Sequence, residues 1–209
     1  AFRKYQMPVA WLPILKQATE KQGLEYMVTC YLPEDLDLIA PLVSRLKIAS
    51  FEATDREFVL ANLRWKKPTI ISTGMMSRGE IDALKGLLYG EVSLLHCVSA
   101  YPAPLHSANL RAIRDYGLAG FSDHTGHELM GALAVAHGAR IIEVHFRDDR
   151  TAPDNPDFQH SLDPRQLATY VNNIRIAELA AGTGERIADN PAEAAMRAYR
   201  VWSRGRADE

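Results

Sequence analysis

Cysteine is scarce in this 209-residue chain: there are two, Cys30 and Cys97. That is too few for a disulfide framework and points to a reducing, cytoplasmic setting. No apolar stretch approaches the ~20 residues that span a bilayer, and the opening AFRKYQMP lacks the apolar core of a signal peptide. Neither sign of charge dominates, since 24 Lys+Arg against 26 Asp+Glu leave a formal charge of −2. There is accordingly no electrostatic footprint for nucleic acid or an anionic membrane. A P-loop, a GxGxxG turn, an HExxH pair and cysteine pairs at zinc-finger spacing are all missing. Neither a glycine-rich phosphate loop nor a structural zinc site is therefore expected. With 47% hydrophobic residues, 13 Gly and 11 Pro, the composition excludes collagen-like and disordered chains. No linker or low-complexity tract divides it, so residues 1–209 read as one domain.

Short apolar runs recur at LEYMVTC (24–30), LKIAS (46–50), PTIISTG (68–74), VSLLHCV (92–98), GFSDHT (120–125) and IIEVHF (141–146). Near-continuous hydrophobicity suits strands covered on both faces, as in parallel sheets. The segments between them carry helix signals. Thr54–Glu57, Ser77–Glu80 and Thr125–Glu128 fit the capping box, and Asp163-Pro164 and Asn190-Pro191 pair an N-cap residue with Pro at the first helical position. Gly23, Gly117, Gly138 and Gly182 stand where helices would stop. The reading is six βα units, a leading helix at about 11–22 and a trailing helix at about 191–203, an α/β fold with a mainly parallel sheet.

A doubly wound sheet gathers its chemistry at one switch point, whereas a (β/α) barrel spreads it over many strand ends. Here nearly every run ends in reactive residue types: Thr29, Ser50 and Glu52, Ser72, Ser99 and Tyr101, Ser122 and His124, and His145, with Lys47 inside the second run. Strand alternation puts Ser122 with His124, and Glu143 with His145, on one side each. This distribution favours a TIM barrel. Such barrels have eight strands and about 250 residues. The six visible units therefore imply either two further strands upstream of Ala1 or a chain that needs a partner.

His124 and His145 offer two nitrogens to a divalent metal and leave positions for water and substrate, an open site that accepts Mn²⁺, Mg²⁺, Fe²⁺ or Zn²⁺. Lys47, Ser50, Ser72, Ser99 and Ser122 fall near the same rim. They form either a cradle for a phosphate or carboxylate or a surface lysine with helix-capping serines. The loop RDDRTAPDNPD (147–157) is either solvated or laid over the mouth, where Asp157 would meet a polyhydroxylated substrate. His96 has the opposite strand parity to Cys97 and Ser99. His106, His127, His137 and His160 fall on helices or loops, and none of these five is given a role. The basic tail, Arg197 to Arg206, reads as the exposed face of the final helix.

Taken in order, KIASFE (47–52), STGM (72–75), HCVSAYP (96–102), SDHT (122–125) and EVHF (143–146) resemble the sialic acid synthase family: the N-acetylneuraminate, legionaminate and pseudaminate synthases and the spore-coat polysaccharide enzymes. The likeness runs from about Trp11 to Gly182. It implies a (β/α)₈ barrel, of which the third to eighth strands are seen. The implied reaction condenses phosphoenolpyruvate with an N-acetylated amino sugar of the N-acetylmannosamine kind, yielding a nine-carbon 2-keto sugar acid and phosphate. The resemblance further implies that Mn²⁺ or Mg²⁺ is held by His124 and His145 and activates the sugar aldehyde. Phosphate binders match Lys47, Ser50, Ser72 and Ser122; Glu52, Tyr101 and Asp157 match sugar-contacting or catalytic residues; Thr29 matches a strand-end threonine. Ser99 stands where the family often has Asn. The family's first two strands and its C-terminal antifreeze-like domain, which completes a domain-swapped homodimer, have no counterpart in these residues. The competing readings are a non-catalytic or partner-dependent barrel fragment that binds sugar or phosphoenolpyruvate, and another metal-dependent aldolase-type barrel enzyme.

Overall fold

The computed structural model of the chain describes residues 7–184, 190–193 and 196. Its strands are β1 (Val28–Thr29), β2 (Leu46–Ile48), β3 (Thr69–Ser72), β4 (Val92–Cys97), β5 (Gly120–Asp123) and β6 (Ile141–Val144). All six expected runs form strands, trimmed at their ends. They pair in parallel in chain order, with Thr29 beside Lys47, Cys97 beside Ser122, and Ser122 beside Glu143.

The helices are α1 (Trp11–Lys21), α2 (Leu36–Ile39), α3 (Arg56–Leu63), α4 (Arg78–Lys85), α5 (Arg111–Asp115), α6 (Met130–Ala136) and α7 (Pro164–Ala181). Between β1 and β2 the connection is a single-turn α2 flanked by the 3₁₀ turns Pro33–Asp35 and Ala40–Leu42. Each of these turns has a proline in its first two positions, and proline's missing N–H suits a helix start but not an interior. α4 opens with the Ser77–Glu80 capping box, and α7 with one made by Asp163 and Gln166, Pro164 following the cap.

Two expected caps are different. α3 is capped by Asp55, which accepts from the Phe58 N–H at 3.0 Å, not by Thr54; carboxylates outrank threonine at this position. Thr125 does not cap a helix either, because its hydroxyl donates to Asp123 and α6 begins only at Met130. The trailing helix at about 191–203 and the basic tail lie almost wholly outside the described residues.

The sheet is a six-stranded half-barrel. Laid flat, β2 and β6 would stand four strand spacings apart, roughly 19 Å at about 4.8 Å each, beyond the combined reach of a lysine and a glutamate. Lys47 Nζ on β2 nonetheless lies 3.5 Å from Glu143 Oε2 on β6, so the sheet curls strongly. Alternation then sorts the side chains. Leu46, Ile48, Ile71 and Leu94 face outward and pack with Phe58, Val59 and Leu63 of α3 and Ile81 and Leu84 of α4. Phe121 packs with Ile113, Met130 and Ala134. Burying each large apolar side chain contributes about 1.5–3 kcal/mol. The curl leaves little space between β5 and β6: a Cβ on Gly120 would stand 1.9 Å from the Ile141 carbonyl oxygen.

Among the described residues, no helix is long and apolar enough to cross a membrane.

Candidate functional site

The concave face gathers the polar residues that alternation assigns to it. Lys47 is 3% exposed, and its ammonium donates to Ser72 Oγ at 2.9 Å and to the Ile48 carbonyl at 3.0 Å. Ser72 Oγ in turn donates to Glu143 Oε2 at 3.3 Å. A buried charge requires a partner, and Glu143 supplies it. The surface-lysine alternative is thereby excluded, and Ser72 is a strand residue that caps no helix.

Ser50 accepts from the Gly74 N–H at 3.0 Å and donates to Cys97 Sγ at 3.4 Å. The glycine of STGM is required by this arrangement, because a Cβ there would stand 2.2 Å from Ser99 Oγ and 2.8 Å from Ser50 Oγ. Ser122 is buried between Cys97 and Glu143 in the register. Thr29 sits half-buried beside Lys47 at the end of β1. Glu52 Oε2 is buried without a hydrogen-bond partner, a state that costs about 1–3 kcal/mol unless a ligand relieves it, and Ser99 Oγ is buried beside the Cys97 thiol and the Tyr101 phenol.

Beyond the strand ends lies a cluster of rings. The Tyr101 ring centre is 4.4 Å from that of His124, 5.1 Å from His160 and 6.2 Å from His145. His124 and His145 are 5.2 Å apart, as the shared strand parity requires. His124 Nδ1 lies 2.8 Å from the Val98 carbonyl, so this nitrogen donates and Nε2 is the one turned to the cluster's chemistry. A metal-ligating histidine is oriented by this kind of hydrogen bond from its other ring nitrogen to a backbone carbonyl.

Burial alone would lower the His124 pKa, but the hydrogen bond and charge of Cys97, 3.7 Å away, outweigh it and hold the imidazole above its ordinary value. Burial likewise pushes the Cys97 thiol up, and His124 and Ser50 more than reverse it. His145 and His160 are both held below the ordinary histidine value, first by burial and then by neighbouring imidazoles. Burial raises the Tyr101 phenol.

The loop after β6 folds back over the mouth. Arg147 draws it in through its guanidinium bonds to the Phe158 and Ser161 carbonyls, an ion pair with Asp163 at 3.8 Å, and a stack over the Phe158 ring at 4.6 Å. The Leu162 N–H completes the closure on the His145 carbonyl at 2.9 Å. Asp157 thereby reaches His145, with Oδ2 3.6 Å from Nδ1, and His160, with Oδ1 3.5 Å from Nε2. One donor atom each from His145, Asp157 and His160 lies within 4.8 Å of the others.

This set fits a divalent cation. It offers two imidazoles and a carboxylate, and both His160 ring nitrogens are buried without a hydrogen-bond partner. The structure thus brings Lys47, Ser50, Ser72, Ser122 and Glu143 together inside the half-barrel, and Tyr101, His124, His145 and Asp157 at its mouth. It also adds two residues given no role from sequence. Strand parity places Cys97 on the inner face without indicating a partner, and a loop has no periodicity to assign His160 a side. Its position three residues after Asp157 in PDFQHSL is the signal that was available. His96 faces outward, donating to the Ala108 carbonyl at 2.7 Å and stacking on Phe121.

Comparison with known proteins follows the same lines. N,N'-diacetyllegionaminic acid synthase of Legionella pneumophila is 37% identical over 187 residues, covering 83% of this chain and 52% of that protein. Pseudaminic acid synthase of Campylobacter jejuni is 32% identical over 203 residues, covering 91% and 58%. The chain therefore spans about half the length of the curated relatives it matches. The crystal structure of N-acetylneuraminic acid synthetase from Leptospira borgpetersenii superimposes with a TM-score of 0.85 at 29% identity, over 93% of this chain and 71% of that one. The family profile described as NeuB matches residues 1–186. A match that runs through most of the chain, and through every motif lining the mouth, decides the kinship: this chain belongs to the NeuB family.

Proposed function

We propose that this chain forms most of the catalytic (β/α)₈ barrel of a sialic-acid-type synthase, which joins phosphoenolpyruvate to an N-acetylated amino sugar of the N-acetylmannosamine kind. C3 of phosphoenolpyruvate bonds to the sugar's aldehyde carbon, water adds at C2, and the C2–O bond breaks to release phosphate and a nine-carbon 2-keto acid. The carrying observation is the convergence of a buried lysine–serine network and a histidine–carboxylate cluster on one mouth, in a chain of this family. The named activities of its relatives support the same reading.

Lys47, with Ser50, Ser72 and Ser122, binds the phosphate and carboxylate of phosphoenolpyruvate. Glu143 holds the ammonium in place by the contacts described. Ser99 Oγ and Glu52 Oε2, both buried, offer the sugar a hydroxyl and a carboxylate. Thr29 and Asp157 border the same space, and Tyr101 screens the histidines from water. His124 and His145 hold a divalent metal, Mn²⁺ or Mg²⁺ by family likeness, with Asp157 beside them. Bound there, the ion polarises a carbonyl as a Lewis acid. A homodimer and a cytoplasmic setting belong to the same proposal, the latter in keeping with two buried free thiols, Cys30 and Cys97.

The test is product mass. Incubation with phosphoenolpyruvate, N-acetylmannosamine and Mn²⁺ is expected to yield the nine-carbon acid, and His124→Ala to abolish it. Lys47→Met, which keeps the length and loses the charge, is expected to lower kcat/KM for phosphoenolpyruvate about 10- to 100-fold, the worth of a charged hydrogen bond. Ligand binding without product under any condition would overturn the proposal in favour of a non-catalytic module.

A further inference from the structure

His160 has no accepted task in the geometry described. It is 1% exposed, and neither ring nitrogen makes a hydrogen bond. A histidine buried this way is worse than a phenylalanine of similar shape, because its N–H and its lone pair both forgo water. The ring nonetheless sits against the cluster, 4.6 Å from His145 and 6.3 Å from His124 between ring centres. Its Nε2 lies 3.5 Å from Asp157 Oδ1.

A metal-bound imidazole, with nitrogen at about 2.1 Å, has its ring centre about 3.2 Å from the ion, so two rings on one ion stand at most about 6.4 Å apart. All three ring-centre separations, 4.6, 5.2 and 6.3 Å, fall within that limit. The donor atoms of His145, Asp157 and His160 lie within 4.8 Å of one another, with the His124 ring at the edge of that group. Asp157 stands between His145 and His160 and supplies the negative charge.

We propose that His160 joins His145 and Asp157, whose donor atoms it already meets, as a nitrogen ligand of this metal centre, and that with His124 drawn in from the adjoining ring position as the third imidazole the set takes a first-row transition ion in preference to Mg²⁺. The inference rests on the metal-binding part of the function proposed above and deepens it. Imidazole donors favour Mn²⁺, Fe²⁺, Co²⁺ and Zn²⁺ in rising measure, whereas Mg²⁺ prefers oxygen and keeps its waters. Two histidines with water leave Mg²⁺ competitive; a third replaces one of the oxygen positions it would use. His160 arrives on the loop that Arg147 pins, so the centre is completed by loop and strands together.

The experiment uses the whole protein, stripped of metal by chelation and titrated with Co²⁺, Mn²⁺ and Mg²⁺. The wild-type protein is expected to bind Co²⁺ with a d–d absorption band and to show three exchangeable, paramagnetically shifted imidazole N–H resonances. His160→Phe, which refills the buried space, is expected to weaken Co²⁺ binding by about 100-fold, as loss of a direct ligand should at least equal the largest outer-shell effects. It is expected to leave Mg²⁺ binding nearly unchanged, so the preference narrows. Two shifted resonances in the wild type, or Co²⁺ affinity and spectrum unaltered in H160F while His145→Ala loses the ion, would overturn the third-ligand proposal alone. Failure of the wild type to bind any of the three ions would overturn the metal reading itself, and this inference with it. The resonance count needs no variant and decides the matter even if H160F fails to fold.

Discussion

Asp123 illustrates how single residues hold the mouth in shape. It is fully buried, with Oδ1 accepting from the Thr125 N–H and hydroxyl and Oδ2 from the Tyr170 phenol at 2.9 Å. Between Ser122 and His124, it fixes the end of β5 against α7. Tyr170→Phe is expected to cost about 1–3 kcal/mol, since a buried carboxylate loses a donor; denaturant titration at pH 8 measures this. Burial and the adjacent Asp123 hold the phenol well above its ordinary range. A raised folded-state value means the stabilisation is complete below the unfolded pKa, about 10, and is lost as pH rises beyond it. The margin of wild type over Y170F should therefore shrink above pH 10, by about 1.4 kcal/mol per unit; a constant margin would contradict this linkage. Residues on strands were legible in the sequence because parity decides their side: Lys47, Ser72, Ser122, Glu143 and His145 all face where alternation puts them. His160 and the pairing of Cys97 with His124 were not, since each depends on which distant segments the curl and the loop bring together.

At the scale of elements, the closure of the loop after β6 on Arg147 is what brings Asp157 and His160 against His145. Arg147→Ala removes both carbonyl bonds, the Asp163 pair and the Phe158 stack. Metal affinity is expected to fall by about 10- to 100-fold, as for other supporting partners, and proteolysis within residues 148–161 to accelerate; isothermal titration and limited digestion check the two effects. The β5–β6 seam sets a second condition. Gly120→Ala would drive a methyl group into the Ile141 carbonyl, a rigid backbone neighbour, so soluble folded protein is expected to be lost. A variant with wild-type melting behaviour would show that the strands lie further apart. Caps were legible where one residue had one task, as at Ser77 and Asp163. They misled where two candidates adjoined, at Thr54 and Asp55, or where the hydroxyl was committed to a buried carboxylate, as Thr125 is to Asp123. The β1–β2 crossover broke into short turns because Pro33 and Pro41 interrupt it.

For the whole molecule, the decisive feature is the curl that turns a six-stranded parallel sheet into a shared concave wall. The alternation of strands and helices made the α/β class legible, and the spread of reactive residues over many strand ends pointed to a barrel rather than an open sheet. The Lys47–Glu143 contact across four strand spacings is the physical expression of that closure. It holds together the proposed anion site within the wall, below the proposed cation site at the mouth. The claim that these work as one active site is tested most directly by phosphate release from phosphoenolpyruvate, with amino sugar and divalent metal omitted in turn. The expected result is release only when both are present, and its loss on chelation and in His124→Ala. Release without sugar, or at an undiminished rate after chelation, would contradict a metal-activated condensation at this mouth.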